Sequence, residues 1–422
     1  MICHLRVPAA LRAHSVILAG MVAGTLLLYI YTSARNGHTF RTVDGYLYYT
    51  HARSWYFDGD CDYENDIRLA PGFTARDSFL QQRSLNGRVR DIVPCAWSVI
   101  ALPFVAVADL MTFLHNTILG ADIARDGYTG YYRAIVPLAH VLTGLAGLLI
   151  GYAIIARYFP KTIAALAAVV VWCGTNVIYY VSVDPTMSHA ASMAFVTGVI
   201  WMADTIRRSG WSVKRAAGLG LCCGMMTATR HQNIAWMIVP TVLLAPPFVA
   251  GMVRARPRAC RDAALLALAV AVAALCFVPQ VIVNLASEGA VVGHVTTFTP
   301  HWLEPRFARE LLAESTGLWT VYPLAGVGLI GAVACACRHR GSALPAAMVA
   351  GFVMILYFNA CWPWAQSPRR YVCCMVVFGL GLAAVLEWAS QSRLRTACVS
   401  IVLGTLCARS VAMLFDPDAL FA

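Results

Sequence analysis

With 422 residues, 59% hydrophobic and only 13% charged content, and a mean hydropathy of +0.65, the chain is too apolar for a soluble globular domain and reads as an all-α polytopic membrane protein. Its net charge of +11 would suggest nucleic acid in a soluble protein. Here Lys and Arg fall in short clusters between apolar segments, as cytoplasmic loops do, which excludes nucleic acid and leaves the lipid bilayer as the partner.

The N-terminal MICHLRVPAALRAH precedes an apolar run but offers no clean small-residue cleavage site, so it reads as a signal anchor. Apolar segments long enough to span occur at 14–32, 134–156, 160–181, 187–204, 233–252, 261–284, 317–336, 342–360, 371–388 and 396–414, with a shorter one at 216–229. Orientation follows from six basic clusters: Arg6 and Arg12; Arg157 and Lys161; Arg207, Arg208, Lys214 and Arg215; Arg254, Arg256, Arg258 and Arg261; Arg338 and Arg340; Arg393 and Arg395. All six are cytoplasmic together only if the apolar stretch 93–114 does not cross and 216–229 does. The stretch 93–114, with Pro94, Trp97, Pro103 and Asp109, is therefore expected to be an interfacial or re-entrant element on the outer face. About 11 crossings result, with the N-terminus inside and the C-terminus outside.

This topology gathers 33–133, 184–189, 229–233, 285–316 and 361–370 on one extracytoplasmic face, where nearly all the unusual polar residues fall. Polar groups at membrane depth are costly and usually functional. The densest of these stretches is RTVDGYLYYTHARSWYFDGDCDYENDIR, Arg41 to Arg68, which carries Asp44, Asp58, Asp60, Asp62, Glu64 and Asp66 among aromatic side chains. No internal repeat is visible, which weakens a transporter built on inverted repeats.

Asp44 is the first catalytic candidate: a carboxylate at the membrane surface can take a proton from an acceptor hydroxyl. It also suits the start of a helix beginning near Gly45. Tyr46 and Arg53, in the same stretch, are placed with the substrate-binding residues. Asp58, Asp60 and Asp62 alternate around Gly59 like part of a calcium loop, but no Glu follows at the spacing such a loop needs. Arg369 and Arg370, in CWPWAQSPRRY beside Trp362 and Trp364, are positive charges on the outer face, against the usual bias. They read either as a lipid-phosphate site or as ion-pair partners of the acidic first loop. Arg230, followed by His231, is a second phosphate candidate, with an ion pair to Asp184 as the plainer alternative. Asp184 and His189 could orient a substrate hydroxyl, or His189 could simply be a satisfied helix-entry histidine. Arg409, inside the last span, reads as snorkelling or structurally paired. Of the 15 cysteines, most lie in apolar segments as small hydrophobes, and no zinc spacing appears. A disulfide between Cys61 and Cys95 is left open.

The Asp-Gly-Tyr motif with its FDGD-type acidic stretch, the Pro103-Phe104 segment, the Asp-Pro…Ser-His turn, the Thr-x-x-Arg-x-Gln turn and the late Ser-Pro-Arg-Arg motif together resemble bacterial GT-C glycosyltransferase-like membrane proteins. These resemble the wider superfamily of protein mannosyltransferases and aminoarabinose transferases. The likeness covers about residues 14 to 390. It implies a single GT-C-like transmembrane domain over 1–422, with juxtamembrane helices in the first outer loop and no separate soluble C-terminal domain. It also implies transfer of a sugar, with inversion, from a polyprenyl-phosphate-linked donor to a glycan, lipid or protein acceptor. By position the base is Asp44, with Arg369, Arg370 and Arg230 on the donor phosphate. The Asp-Glu pair of some relatives is Asp44-Gly45 here, so no metal ligands are assigned and a divalent metal stays open as a cofactor. The expected site is a bacterial inner membrane, with the chemistry facing the periplasm or exterior. A non-enzymatic flippase or transporter of a lipid-linked or amphiphilic substrate is the competing class.

Overall fold

In a bilayer the backbone must satisfy its own N–H and C=O groups, so long apolar runs become helices. The computed structural model describes residues 9–36, 40–84, 86–90, 92–253, 259–292, 300–339, 341–362 and 368–415, with side chains from residue 13 onward. Of the positions used above, Arg6, Arg254, Arg256, Arg258, Arg340, Trp364 and the Ser367 of Ser-Pro-Arg-Arg lie outside the described residues, as does the side chain of Arg12.

The first helix, α1 (Ala9–Asn36), leads into the segment expected on the outer face, an outer segment of short helices: α2 (Val43–Arg53), α3 (Glu64–Leu69) and α4 (Arg76–Gln81), followed by the longer α5 (Ala96–Leu119) and the short α6 (Gly130–Ile135). Next come α7 (Leu138–Ile155), α8 (Lys161–Gly174), α9 (His189–Ser209), α10 (Val213–Thr229), α11 (Ile238–Val253), α12 (Ala259–Leu275) and α13 (Val278–Glu288). A second outer stretch holds α14 (Phe307–Leu312) and α15 (Leu318–Val321), before α16 (Pro323–Arg338), α17 (Ala343–Ala360), α18 (Met375–Ala389) and α19 (Arg393–Ala412). No strand forms among the described residues; one isolated bridge joins Arg83 and Val89. The chain is an all-α, multi-pass membrane protein.

Among the described residues eight helices are long and apolar enough to cross a membrane: Ala13–Arg35, Ala96–Leu119, Gly130–Ile155, His231–Val253, Ala259–Glu288, Ala343–Ala360, Pro368–Ala389 and Arg393–Phe415. This set differs from the eleven expected segments. Lys161–Gly174 and Pro323–Arg338 are apolar but shorter. The helices α9 and α10 are diluted by polar residues that the bundle buries, among them His189, Ser192, Thr197 and Asp204. The stretch 93–114, expected to be an interfacial or re-entrant element, falls on Ala96–Leu119, one continuous helix of 24 residues that is long and apolar enough to span.

The contacts of α5 fix its direction. Trp97 stacks on His140, near the start of α7, with ring centroids 4.2 Å apart. Farther along, Asp109 accepts a 2.6 Å hydrogen bond from Tyr132, and His115 lies 2.7 Å from the Tyr131 hydroxyl. Residues 131 and 132 precede His140 in the chain, so the C-terminal half of α5 leads away from the bundle rather than down beside α7. Its outward side exposes Val107, Leu110, Phe113 and Ile118, as a helix against lipid does.

Two large hydrophobic cores result, beside small clusters around Met225 and Leu265. The larger joins α1, α7 to α11 and α16 to α19. The smaller is made from Phe40 to Val136, with Val283 of α13 as its only buried member from elsewhere among the described residues. The outer segment therefore folds on itself and is tied to the bundle at its rim. Arg90 pairs with Glu288 at 3.0 Å, and the Cys95 amide donates to Gln280 at 2.9 Å. Cys61 and Cys95 are both buried, and no disulfide joins them.

Within the bundle, α16 and α18 meet through glycines. A β-carbon on Gly381 would lie 1.7 Å from the Gly328 carbonyl oxygen, and one on Gly331 would lie 2.2 Å from that of Gly381. Small residues let membrane helices approach this closely, and the gain is van der Waals contact, since lipid competes for apolar surface. Gly381→Ala should force the pair apart and lower stability by about 1–3 kcal/mol, the usual cost of overpacking, read as a lower unfolding midpoint in detergent. An unchanged midpoint would mean that the crossing is looser than these distances require.

Candidate functional site

At the end of the bundle expected to face outward, four elements converge on one spot. The first is α2, whose N-terminal Thr42 accepts a hydrogen bond from the Gly45 amide at 3.2 Å, capping the helix and fixing Asp44 in its first turn. All nine residues from Gly45 to Arg53 are buried. The second is the turn Asp184 to Ser188, and the two pack without clearance: a β-carbon on Gly45 would meet the Thr186 hydroxyl at 2.5 Å. The third and fourth are 3-10 helices, His231–Met237 and Pro368–Cys374, whose starts carry Arg230, Arg369 and Arg370.

Hydrogen bonds tie these elements together. Tyr48 lies 2.9 Å from the Ser188 hydroxyl, and Arg230 donates to that same hydroxyl at 3.3 Å and to Nδ1 of His189 at 3.5 Å. Asn233 holds the turn behind Arg230, donating to Ser192 of α9 at 2.8 Å and to the Met226 carbonyl at 3.0 Å. Arg369 faces Asp44 at 3.8 Å, with the Asp44 side chain 40% exposed.

The arginine pair splits. Successive residues on a 3-10 helix point about 120° apart, so Arg369 turns to Asp44 while Arg370 turns inward. Arg370 lies 5.1 Å over the Trp362 ring and is buried. The acid that acts on it is Glu310 of α14, which Arg309 approaches at 3.3 Å and which accepts from Tyr371 at 3.3 Å. Burial raises the Glu310 carboxyl against the pull of Arg309 and Arg370. Arg230, Arg369 and Arg370 all act electrostatically on His189, and the first two also act on Tyr48 together with Asp44.

Asp184 is fully buried and accepts from the Thr186 hydroxyl. Burial pushes its carboxyl up to about 6, with Arg41 pulling it back and Asp44 adding to the rise. Arg41 also hydrogen-bonds Tyr179. Asp184 makes no ion pair with Arg230, which takes Ser188 and His189 instead. Buried polar atoms that find no partner among the described residues gather here, among them Oδ2 of Asp184, Nε2 of His189, Oδ1 of Asn233 and Nε of Arg370. Unsatisfied buried polar groups are rare and call for a ligand, water or strain to explain them.

Three expected positions sit apart from this constellation. Tyr46 packs into the outer core against Phe40 and Phe73, with centroids 5.5 and 5.2 Å away, and its hydroxyl donates to the Pro71 carbonyl. Arg53 is a structural cation. It pairs with Asp66 at 2.5 Å and Asp58 at 3.0 Å, donates to the Asp126 carbonyl at 2.8 Å and lies between the rings of Phe57 and Tyr128. Both were drawn toward the site by their nearness to Asp44 in sequence, but the helical turn of α2 carries them to its other faces. His231 is exposed beside Arg230.

The acidic stretch closes on itself. Gly59, at φ +71°, ends the single π-turn Ser54–Asp58. Asp60 then accepts from Ser54 at 2.9 Å and from the Asp62 amide at 3.1 Å. Among the described residues no group of three or more His, Cys, Asp or Glu could hold a metal ion. Sequence reasoning missed Ser188, Thr186, Tyr48 and Glu310. The first two stand inside the quoted Asp-Pro…Ser-His turn, and Tyr48 stands one turn past Asp44, which is signal enough to have found them; Glu310 carries none. No family model and no curated protein sequence matches the chain.

Because Asp66 is fully buried against Arg53, removing the cation strands the carboxylate. Arg53→Met should cost about 3–5 kcal/mol and appear as faster proteolysis within residues 40–136. Proteolysis as slow as in the unaltered protein would show that the pair is dispensable.

Proposed function

We propose that this protein is a membrane glycosyltransferase of GT-C type, moving a sugar from a polyprenyl-phosphate-linked donor to a glycan, lipid or protein acceptor with inversion. In a bacterial inner membrane the site would face the periplasm. The observation that carries this reading is the excess of positive charge at one spot: three guanidiniums, Arg230, Arg369 and Arg370, act together on His189, while Asp44 faces Arg369 at 3.8 Å, Glu310 acts on Arg370, and among the described residues Arg230 hydrogen-bonds only Ser188 and His189. A phosphate would balance the remainder, and planar guanidinium forks suit its oxygens.

In the proposed reaction Asp44 takes the proton of the acceptor hydroxyl as its oxygen attacks the anomeric carbon. The bond from that carbon to the phosphate oxygen breaks, and the electron pair leaves with the polyprenyl phosphate. Arg230 and Arg370 hold that leaving group, stabilising charge as it develops. Arg369, between Asp44 and the donor, aligns base and phosphate, so most of the rate comes from position. Ser188 and Tyr48 orient Arg230, and Glu310 keeps Arg370 from turning away.

Asp44→Asn should lower transfer by about 100-fold or more, the scale of a lost general base, with donor binding retained. Arg370→Lys should weaken donor binding about tenfold by replacing a fork with a point charge. Transfer by radiolabelled polyprenyl-phosphate sugars in proteoliposomes measures the first and equilibrium donor binding the second. Full transfer by the Asp44→Asn protein would sink Asp44 as the base, whereas no transfer by the unaltered protein, with the donor moved across the bilayer instead, would sink the enzyme reading and favour a flippase.

A further inference from the structure

The opposite end of the bundle holds a second cationic constellation, which the proposed reaction does not use. The ends of α7, α9, α16, α17, α18 and α19 meet there. Asp204, fully buried, accepts from Arg157, from Arg207 at 2.7 Å and from Arg208 at 2.7 Å. Arg157 lies 3.6 Å over the Trp201 ring. Tyr158 binds the Ser342 hydroxyl at 2.8 Å and meets the His339 ring edge-on at 5.8 Å. Arg338 reaches Glu387 at 3.1 Å with its side chain 67% exposed, and Arg395 lies 4.7 Å over the Trp388 ring. Among these described residues five arginines face two carboxylates, so positive charge is in excess.

Two apolar grooves open on the lipid-facing surface beside this charge. One, of about 290 Å³, runs between α16 and α18 along Ile330, Ala334 and Ala384 and ends at Arg338 and His339. The other, of about 360 Å³, runs between α18 and α19 along Val399 and Val402, with Val327 of α16 also lining it, and ends at Arg395. They share Val385 and Trp388 as a common wall. Trp388 is 50% exposed, and indoles in this position sit at the headgroup level of a bilayer.

We propose that this end of the bundle binds one anionic diacyl phospholipid, its two acyl chains lying in the two grooves either side of Trp388 and its phosphate between Arg338 and Arg395. The pairing of features selects the occupant. Two parallel grooves with one dividing wall match two chains on one headgroup, and cations at both groove ends match a single phosphate between them. A zwitterionic lipid would fill the grooves as well but would bring no net charge to the arginines. The site is distinct from the outer constellation: α18 alone, 15 residues long, puts roughly 22 Å of helix between them. The inference holds whether or not the outer site transfers a sugar.

The test is native mass spectrometry of the full detergent-purified chain titrated with dioleoyl phosphatidylglycerol or dioleoyl phosphatidylcholine. The unaltered protein should bind its first phosphatidylglycerol about fivefold or more tighter than phosphatidylcholine, the preference two surface arginines confer. R338Q/R395Q should bring the two lipids within about twofold. Ala334→Trp, on the exposed wall of one groove, changes no charge and should weaken both lipids. No preference in the unaltered protein, a preference that survives R338Q/R395Q, or unchanged binding in Ala334→Trp would each overturn the proposal.

Discussion

The seating of α2 on the Asp184 to Ser188 turn is the contact on which the outer site depends. Gly45 has no β-carbon, and the space one would occupy holds the Thr186 hydroxyl at 2.5 Å. That clearance lets the helix backbone lie against the turn, and from it follow the Tyr48 contact to Ser188 and the position of Asp44 opposite Arg369. Arg230 reaches the same serine from the far side. One hydroxyl thus joins α2, the entry of α9 and the exit of α10.

This arrangement needs a rigid outer segment, because a site shared between a loop and a bundle is only as well defined as the loop. Here the loop has its own core, closed by Arg53 and Asp66 beneath Tyr128 and by the hydrogen bonds of the acidic stretch. Its carboxylates split into two groups by environment. Asp58, Asp60 and Asp66 are consumed in holding the segment together. Asp44 remains open to solvent with a single cation nearby. A charged group that is already satisfied is poorly placed to do chemistry; one left partly unsatisfied is available.

The bundle also sorts charge between its two ends. The basic loops around Arg157, Arg208, Arg338 and Arg395 are linked to one another through Asp204, Tyr158, Ser342 and Trp388. The loops expected on the other face meet through Arg369, Arg230 and Arg309. With α9 running from His189 to Ser209, about 30 Å of helix separates the groups, close to the thickness of a hydrocarbon layer. At the basic end the arginines share one buried carboxylate and aromatic faces. At the other they are held apart, with unpartnered polar atoms among them.

The helical segments, and the division of the loops into two sets, were legible in the sequence because both depend on local composition: a run of apolar residues has few alternatives to a helix in lipid, and Lys and Arg mark loops. Asp44, Asp184, His189, Arg230 and the two late arginines were legible as candidates because a polar residue in an apolar chain stands out. Their partners were not. That Arg369 turns to Asp44 while Arg370 turns to Trp362 and Glu310 is decided by the 120° step of a 3-10 helix against its packed neighbours. That Tyr46 and Arg53 belong to a core, and Tyr48 to the site, is decided by which face of α2 meets the turn. The length of α5 could be read from hydropathy, but its path away from α7 follows from the stacking of Trp97 on His140 and the Tyr132 bond to Asp109. Composition determines what each segment can be; only contacts between residues far apart in the chain decide which way each side chain points.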